Sequence, residues 1–434
     1  MRISPARRVN GRIRLPGDKS ISHRAAIIAA LAATPSHIKN FSPSQDCAAT
    51  LSCLEQLGVG LERAGESVRV DGVRSLAQPA ATLDCGNSGS TIRMLAGVLA
   101  GQSFTSTLNG DDSLRSRPMK RIIEPLELMG AKVESYDGKP PLIVAGRRPL
   151  KPIRYELPVA SAQVKTCVLL AGLHAEGLTE VIEKRGATRD HTERMLKWFG
   201  VPLETAVADS GSVTTSVARI EMFSGRELSI PGDISSAAFL IAAAALLPNS
   251  ELDIEGVGIN PTRTMFMRQL QSFGLAIEIE EKGEESGEPI GNVRVRSGAG
   301  LDTRGNLIEI KGDLIPQLID ELPLLAVVGT QLQGGLTIGD ASELRTKESD
   351  RIAATVKNLR SMGADVEELE DGLRVAGPIT LRGARVDSYG DHRIAMAFAV
   401  AALIAQGDSE IAGAGCVNVS FPGFFNVLDS VIQR

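Results

Sequence analysis

Cations gather in this chain at a place where they weaken a helix. In LPGDKSISHRAAIIAALA (residues 15–32) a Pro-Gly turn leads into Asp18, Lys19, Ser20, Ser22, His23 and Arg24, and an Ala/Ile-rich helix follows. Capping residues stand where the first backbone N–H groups lack partners. Lys19 and Arg24 face the positive end of the helix dipole, where neither helps helix stability. An anion bound at that end accounts for both. Similar sets recur downstream: Asn87, Ser88, Gly89, Ser90 and Arg93 in GNSGSTIR, Arg115, Arg117, Lys120 and Arg121 in DDSLRSRPMKR, Ser161, Gln163 and Lys165 in SAQVK, and Arg189, Asp190 and His191 in ATRDHTERM. Gly89 permits close approach of backbone to an anion.

Acids appear in the second half. Asp320 and Glu321 lie among apolar residues in LIPQLIDELPLLAV, a setting that raises a carboxyl pKa and suits proton transfer. ELRTKESDRI supplies Arg345, Lys347, Glu348, Asp350 and Arg351, and the spacing of Lys347 and Arg351 places both on one side of a helix. YGDHR adds Asp391, His392 and Arg393. Taken singly, KESDR reads as a solvated charged helix, GNSGS as an ordinary turn, and His23, His191 and His392 as structural histidines. The groups recur, however, at one point of a repeating unit, and that favours a site.

The repeat positions them. Turn-plus-helix starts occur at Pro16, Gly86, Val159, Pro231, Ile319 and Tyr389, each followed by a small-residue apolar helix. A second signature follows in five units: LEQLGVGLE, LELMGAKVE, LKWFGVPLE, LQSFGLAIE and LRSMGADVE, with glycines at 58, 130, 200, 274 and 363. It predicts an amphipathic helix, a left-handed glycine cap and a strand. The unit is therefore strand, apolar helix, strand, second helix and two strands. The sixth copy ends early, and residues 1–14 are the spare strand expected to complete it. Two domains follow: 15–228 with units one to three, and 1–14 plus 229–434 with units four to six. Their hinges are the Pro-Gly sequences near 15–17 and 229–232. The charged stretch 280–292 reads as a surface insertion without chemistry.

Composition narrows the function. The net charge of −5 and 3% aromatic content argue against a nucleic-acid platform. The five scattered cysteines have no zinc spacing and read as reduced thiols, and no signal peptide or membrane span is evident, so a cytoplasmic protein is expected. P-loop, dinucleotide and nucleophile-elbow motifs are missing. A metal-free site for small polyanions, closing between two domains, remains.

LPGDKSISHR, GNSGSTIR, RSRP, SAQVK, IDELP, KESDR and GDHR, in that order and spacing, resemble the 5-enolpyruvylshikimate-3-phosphate synthase family over essentially the whole chain. The resemblance implies a two-domain inside-out α/β barrel with six βαβαββ repeats, three per domain. It implies transfer of the carboxyvinyl group of phosphoenolpyruvate to the 5-hydroxyl of shikimate 3-phosphate through a tetrahedral intermediate, in chorismate biosynthesis, with no cofactor or metal and with a monomeric enzyme. Carried over by motif, Lys19, Ser20, Arg24, Ser161, Gln163, Asp320 and Lys347 bind shikimate 3-phosphate. Lys19, Gly89, Arg117, Gln163, Arg351 and Arg393 hold phosphoenolpyruvate. Asp320 is the base at the 5-hydroxyl, Glu348 the acid for the methylene carbon, and Lys19 the third catalytic group.

Two departures stand out. Ala162 replaces a second serine common in the family, and Val419 stands where many members carry a phosphoenolpyruvate-binding lysine, with Lys165 or Arg189 as the candidates to replace it. The related UDP-N-acetylglucosamine 1-carboxyvinyltransferases share the fold, but their reactive loop cysteine belongs within 111–117, where this chain has none. A non-catalytic polyanion- or RNA-binding protein on the same repeats has no use for Asp320 and Glu348.

Overall fold

The structure is a computed structural model that describes every residue except Arg74, Arg185, Gly186, Ala299, Gly300 and Asp302. The chain forms two compact units. One comprises Gly17–Pro231 together with Glu284–Glu288; the other comprises Met1–Pro16, Gly232–Gly283 and Pro289–Arg434. In each unit three small-residue helices are enclosed and β-sheets lie around them, which is the inside-out α/β arrangement expected.

In the Gly17–Pro231 unit the enclosed helices are Lys19–Ala30, Gly89–Ala100 and Ala162–Gly172, and nearly every residue beyond their first turns is buried. Alanine and glycine predominate because the helices touch closely. A Cβ on Gly97 would stand 2.2 Å from the carbonyl oxygen of Cys167, so the second and third helices meet backbone to backbone. Each fully buried Leu or Ile adds about 1.5–3 kcal/mol, so burial rather than intrinsic propensity stabilises these short helices. Three four-stranded sheets surround them, each with one parallel and two antiparallel pairings.

The other unit encloses Ile234–Leu246, Leu322–Gly329 and His392–Leu403 in the same way. The five glycines of the second signature all adopt positive φ, between 78° and 95°, as left-handed helix caps.

The N-terminal segment departs from expectation. Arg2–Ile3 joins the sheet of the sixth repeat, pairing antiparallel with the Ser409–Ala412 strand, and Arg8–Val9 pairs antiparallel with Ile432–Gln433 at the end of that repeat. Arg8–Arg14 pairs parallel with Glu251–Gly258 and opens the fourth repeat. Correspondingly, Glu227–Ser229 pairs parallel with Ser36–Lys39 and opens the first. Both first strands thus come from the far side of a Pro-Gly crossing. Within one unit Asp18 N donates to Pro231 O at 2.8 Å, and within the other Asp233 N donates to Pro16 O at 3.0 Å. Gly17 is obligatory at its crossing, since a Cβ there would lie 1.7 Å from Asn40 O.

The stretch 280–292 is also not the featureless surface insertion expected. It is the end of a hairpin, Ala276–Glu285 and Glu288–Arg296. Its tip belongs to the Gly17–Pro231 unit, where Glu288 is buried with Oε1 2.7 Å from His191 Nδ1. Ser229 N donates to Ser286 Oγ at 2.8 Å, and Arg194 Nη1 donates to Gly287 O at 3.1 Å. No helix among the described residues is long and apolar enough to cross a membrane.

Candidate functional site

In the Gly17–Pro231 unit, side chains tie the N-terminal ends of the three enclosed helices together. Asp18 caps the first helix by accepting from Ile21 N at 2.9 Å, Ser88 caps the second through Thr91 N at 3.0 Å, and Ser161 caps the third through Val164 N at 3.4 Å. Arg24 of the first helix donates to Thr166 Oγ1 of the third at 3.0 Å. Gln163 of the third donates to Ser90 Oγ of the second at 2.9 Å and accepts from Arg93 Nη1 at 2.8 Å. Three helix N-termini, each worth about half a positive charge, therefore lie beside Lys19, Arg24, Arg93 and Arg117. The arrangement suits an anionic ligand with several oxygens.

Lys19 Nζ lies 2.8 Å from Asp46 Oδ2, a buried carboxylate on the Gln45–Gln56 helix. Ser20 is half-buried, and its carbonyl accepts from Arg24 Nη1 at 2.8 Å. Burial, followed by the charges of Lys19 and Arg24, holds the His23 pKa well below its usual value, so its imidazole is neutral. His23 Nδ1 lies 2.7 Å from Thr50 Oγ1, Thr50 lies 2.6 Å from Thr91 Oγ1, and Thr91 donates to Ser88 Oγ at 2.7 Å. Arg117 donates to Asn87 Oδ1 at 2.7 Å and to Ser113 Oγ at 3.0 Å. Lys19, Ser20, Arg24, Gly89, Arg117, Ser161 and Gln163 thus occupy one end of one unit.

Lys165 does not join them. It is 1% exposed and held between Glu183 at 2.8 Å and Glu193 at 2.6 Å, so it cannot stand in for a substrate-binding lysine at position 419. Burial opposes its charge, but Glu193 and Glu183 outweigh burial and push its pKa up. Arg189, the other candidate, is half-buried.

The second unit gathers the remaining candidates around two arginines. Arg351 is 2% exposed; its Nε donates to Asp391 Oδ2 at 2.8 Å, its Nη2 to Glu348 Oε2 at 2.7 Å, and its Nη1 lies 3.5 Å from Asp320 Oδ1. Burial works against this guanidinium, but Asp391, Glu348 and Asp320 together raise its pKa. Arg393 Nη1 donates to Ser235 Oγ at 2.7 Å and to Glu321 Oε1 at 3.3 Å, and Nη2 stands 3.9 Å from Asp320 Oδ2. Ser235 also donates to the buried Glu321. Asp391 accepts from Arg393 N at 2.8 Å and so caps the His392–Leu403 helix while holding Arg351. Asp320 and Glu348 thereby meet on one guanidinium, 28 positions apart in sequence.

Lys347 and Arg351 do not share a helix. A 3-10 turn, Ser342–Thr346, precedes Lys347, and the α-helix starts at Arg351 with Asp350 as its cap. Lys347 Nζ pairs with Glu343 at 2.8 Å instead. Sequence reasoning also missed Asp46, Thr166, Thr192 and Ser235, neutral or acidic partners far along the chain from the cations they hold. Among the described residues, no group of three or more His, Cys, Asp or Glu is placed to hold a metal ion.

The family model described as EPSP synthase (3-phosphoshikimate 1-carboxyvinyltransferase) matches residues 3–428. The chain is 47% identical over 435 residues to the 3-phosphoshikimate 1-carboxyvinyltransferase of Desulforamulus reducens, covering 99% of each. It is 49% identical over 436 residues to that of Koribacter versatilis, covering 100% of this chain and 99% of the relative. Among solved structures, EPSP synthase from Acinetobacter baumannii superposes with a TM-score of 0.85 at 38% identity, covering 100% of this chain and 98% of that one. The enolpyruvyl transferase NikO from Streptomyces tendae, at 18% identity and a TM-score of 0.76 over 99% and 96% of the two chains, shares the fold. With this fold, this clustering of cations and carboxylates, and relatives matched end to end, the chain belongs to the EPSP synthase (3-phosphoshikimate 1-carboxyvinyltransferase) family.

Proposed function

We propose that this protein transfers the enolpyruvyl group of phosphoenolpyruvate to the 5-hydroxyl of shikimate 3-phosphate, releasing phosphate. The Gly17–Pro231 unit supplies anchoring. Lys19, Ser20, Arg24, Ser161 and Gln163, with Lys347 of the other unit, bind shikimate 3-phosphate. Lys19, Gly89, Arg117 and Gln163, with Arg351 and Arg393, bind phosphoenolpyruvate. Planar guanidinium groups suit the paired oxygens of carboxylate and phosphate.

Proton transfer falls to the other unit. Asp320 takes the 5-hydroxyl proton as that oxygen attacks the central carbon of phosphoenolpyruvate, and Glu348 delivers a proton to the methylene carbon. Glu348, now a carboxylate, takes a proton back from the new methyl group as the C–O bond to phosphate breaks, the departing phosphate takes the proton held by Asp320, and the enol ether results. One feature supports this division above the others: Arg351 contacts both carboxylates. An arginine at 3.5 Å favours ionised Asp320, the form a base requires. Glu348 accepts from the same guanidinium at 2.7 Å, so it must take up a proton before it can act as the acid.

Phosphate release by purified protein tests the assignment. Release is expected with shikimate 3-phosphate plus phosphoenolpyruvate. Release with UDP-N-acetylglucosamine as acceptor, and none with shikimate 3-phosphate, would overturn it.

A further inference from the structure

Three consecutive residues of the His191–Trp198 helix, His191, Thr192 and Glu193, are 1%, 1% and 5% exposed, and each has a different partner. His191 meets Glu288, Thr192 meets Arg24, and Glu193 meets Lys165. Lys165 and Thr166 are neighbours on the Ala162–Gly172 helix, so two adjacent residues of one helix meet two adjacent residues of another. Arg24 is seated across this seam: Nε donates to Thr192 Oγ1 at 2.7 Å and Nη2 to Thr166 Oγ1 at 3.0 Å.

Counting protons fixes the direction of every bond. Thr166 Oγ1 gives its only proton to Ala162 O at 2.7 Å. The 2.6 Å contact between the two hydroxyls must then be Thr192 donating to Thr166. Both threonine oxygens are left as acceptors facing the guanidinium, and Ser20 O takes a third N–H at 2.8 Å. The seam is held by a buried charge cluster in which Lys165 lies between Glu183 and Glu193 and Glu183 also accepts from Thr188 N at 2.9 Å. Breaking such a cluster on one side leaves an uncompensated buried charge, so its geometry is stiff.

We propose that Thr192 and Lys165 are positioning residues: the Lys165–Glu193 ion pair sets the register of the two helices, and Thr192, with Thr166, holds the Arg24 guanidinium in the orientation that receives shikimate 3-phosphate. This rests on the reading that Arg24 binds that substrate.

The test is steady-state kinetics on Thr192→Val, which removes the hydroxyl at nearly constant shape, and Thr192→Ser, which keeps it. Thr192→Val is expected to raise the KM for shikimate 3-phosphate at least tenfold while the KM for phosphoenolpyruvate moves less than twofold. Thr192→Ser should stay within threefold of the parent. An unchanged KM for shikimate 3-phosphate in Thr192→Val, or equal changes in both KM values, would overturn the proposal. Lys165→Met alone leaves two buried carboxylates and endangers folding, so the ion pair is tested with Lys165→Met, Glu183→Gln and Glu193→Gln combined, and the same selective rise is expected. Arg24→Lys separates the two levels of inference. If it leaves the KM for shikimate 3-phosphate unchanged, the substrate reading of Arg24 fails. If it raises that KM but Thr192→Val has its full effect on top, the route through Arg24 fails.

Discussion

A Cβ placed on Gly89 would lie 2.6 Å from Nη1 of Arg93, inside contact distance, and 3.3 Å from Nη1 of Arg117. Arg93 cannot yield freely, because the same Nη1 donates to Gln163 Oε1 at 2.8 Å and the side chain is buried. Gly89 begins a helix, where replacing glycine by alanine is worth about 0.5–1 kcal/mol of stability. Gly89→Ala should therefore leave the melting temperature within a few degrees of the parent. It should raise the KM for phosphoenolpyruvate several-fold by displacing both guanidinium groups. Kinetics beside a thermal melt decide the matter; a large loss of stability with normal KM would mean that the contact matters only for packing.

Two of the three carboxylates on Arg351, Asp391 and Glu348, should separate stability from chemistry. Asp391 is fully buried, and removing its charge leaves Arg351 with partners only on its outer edge. Asparagine still caps the helix through Oδ1 but turns its amide N–H groups toward Arg351 and Ser349, so Asp391→Asn removes the ion pair and its hydrogen bonds together. It should cost about 3–5 kcal/mol in denaturant unfolding. Glu348→Gln retains a hydrogen-bond acceptor for Arg351 and removes the proton donor. It should cost little stability and lower kcat by about 10²–10⁴-fold. Equal stability losses in the two variants would refute this division.

What the sequence disclosed follows from how far each signal reaches. Caps, apolar runs and left-handed glycines are local, so six repeats and the enclosed helices were legible from residues standing within a few positions of one another. The grouping of Lys19, Arg24 and Gln163 was legible for the same reason, since each falls at an equivalent helix start. The fates of Lys165 and Lys347 were not. Glu183 and Glu193 lie on a strand end and a different helix from Lys165, and the break between Thr346 and Arg351 depends on packing that spacing does not encode. Residues 1–14 read as one strand because nothing local distinguishes Arg2–Ile3 from Arg8–Arg14; the sheets they pair with do so.

Two buried histidines make stability depend on mildly acidic pH. Burial, with Arg148 and Arg219 nearby, lowers the His174 pKa from 6.5 to about 4, and burial depresses His23 likewise. Below pH 6.5 the unfolded chain binds protons at these positions that the native state refuses. Stability therefore falls as pH drops from about 6.5, and the His174 contribution levels off near 4. In His174→Gln the slope of unfolding free energy against pH should be smaller by up to about 1.4 kcal/mol per pH unit within that window. Urea titrations at pH 7, 6 and 5 measure it, and superimposable slopes for parent and variant would show that His174 is protonated in the native state.

The pair formed by Glu288 and His191 makes the sharpest demand on the hairpin. Five residues, Glu284–Glu288, belong to the Gly17–Pro231 unit although the strands on either side continue into the other, so the tip is held by its own contacts. Of these the His191–Glu288 bond is the most buried, with both side chains at 2% exposure or less. Glu288→Ala withdraws the acceptor from His191 Nδ1 and should cost about 1–3 kcal/mol. A double-mutant cycle with His191→Asn should return a coupling of about 0.5–3 kcal/mol. His191 immediately precedes Thr192, so loosening it should also raise the KM for shikimate 3-phosphate in the direction of Thr192→Val but by a smaller factor. Additive effects in the cycle would show that the tip is held by its other contacts, among them Ser286, Gly287 and the Arg194–Glu284 pair. A coupling energy with no change in that KM would confine the pair to stability and leave Thr192 anchored by Lys165 and Glu193.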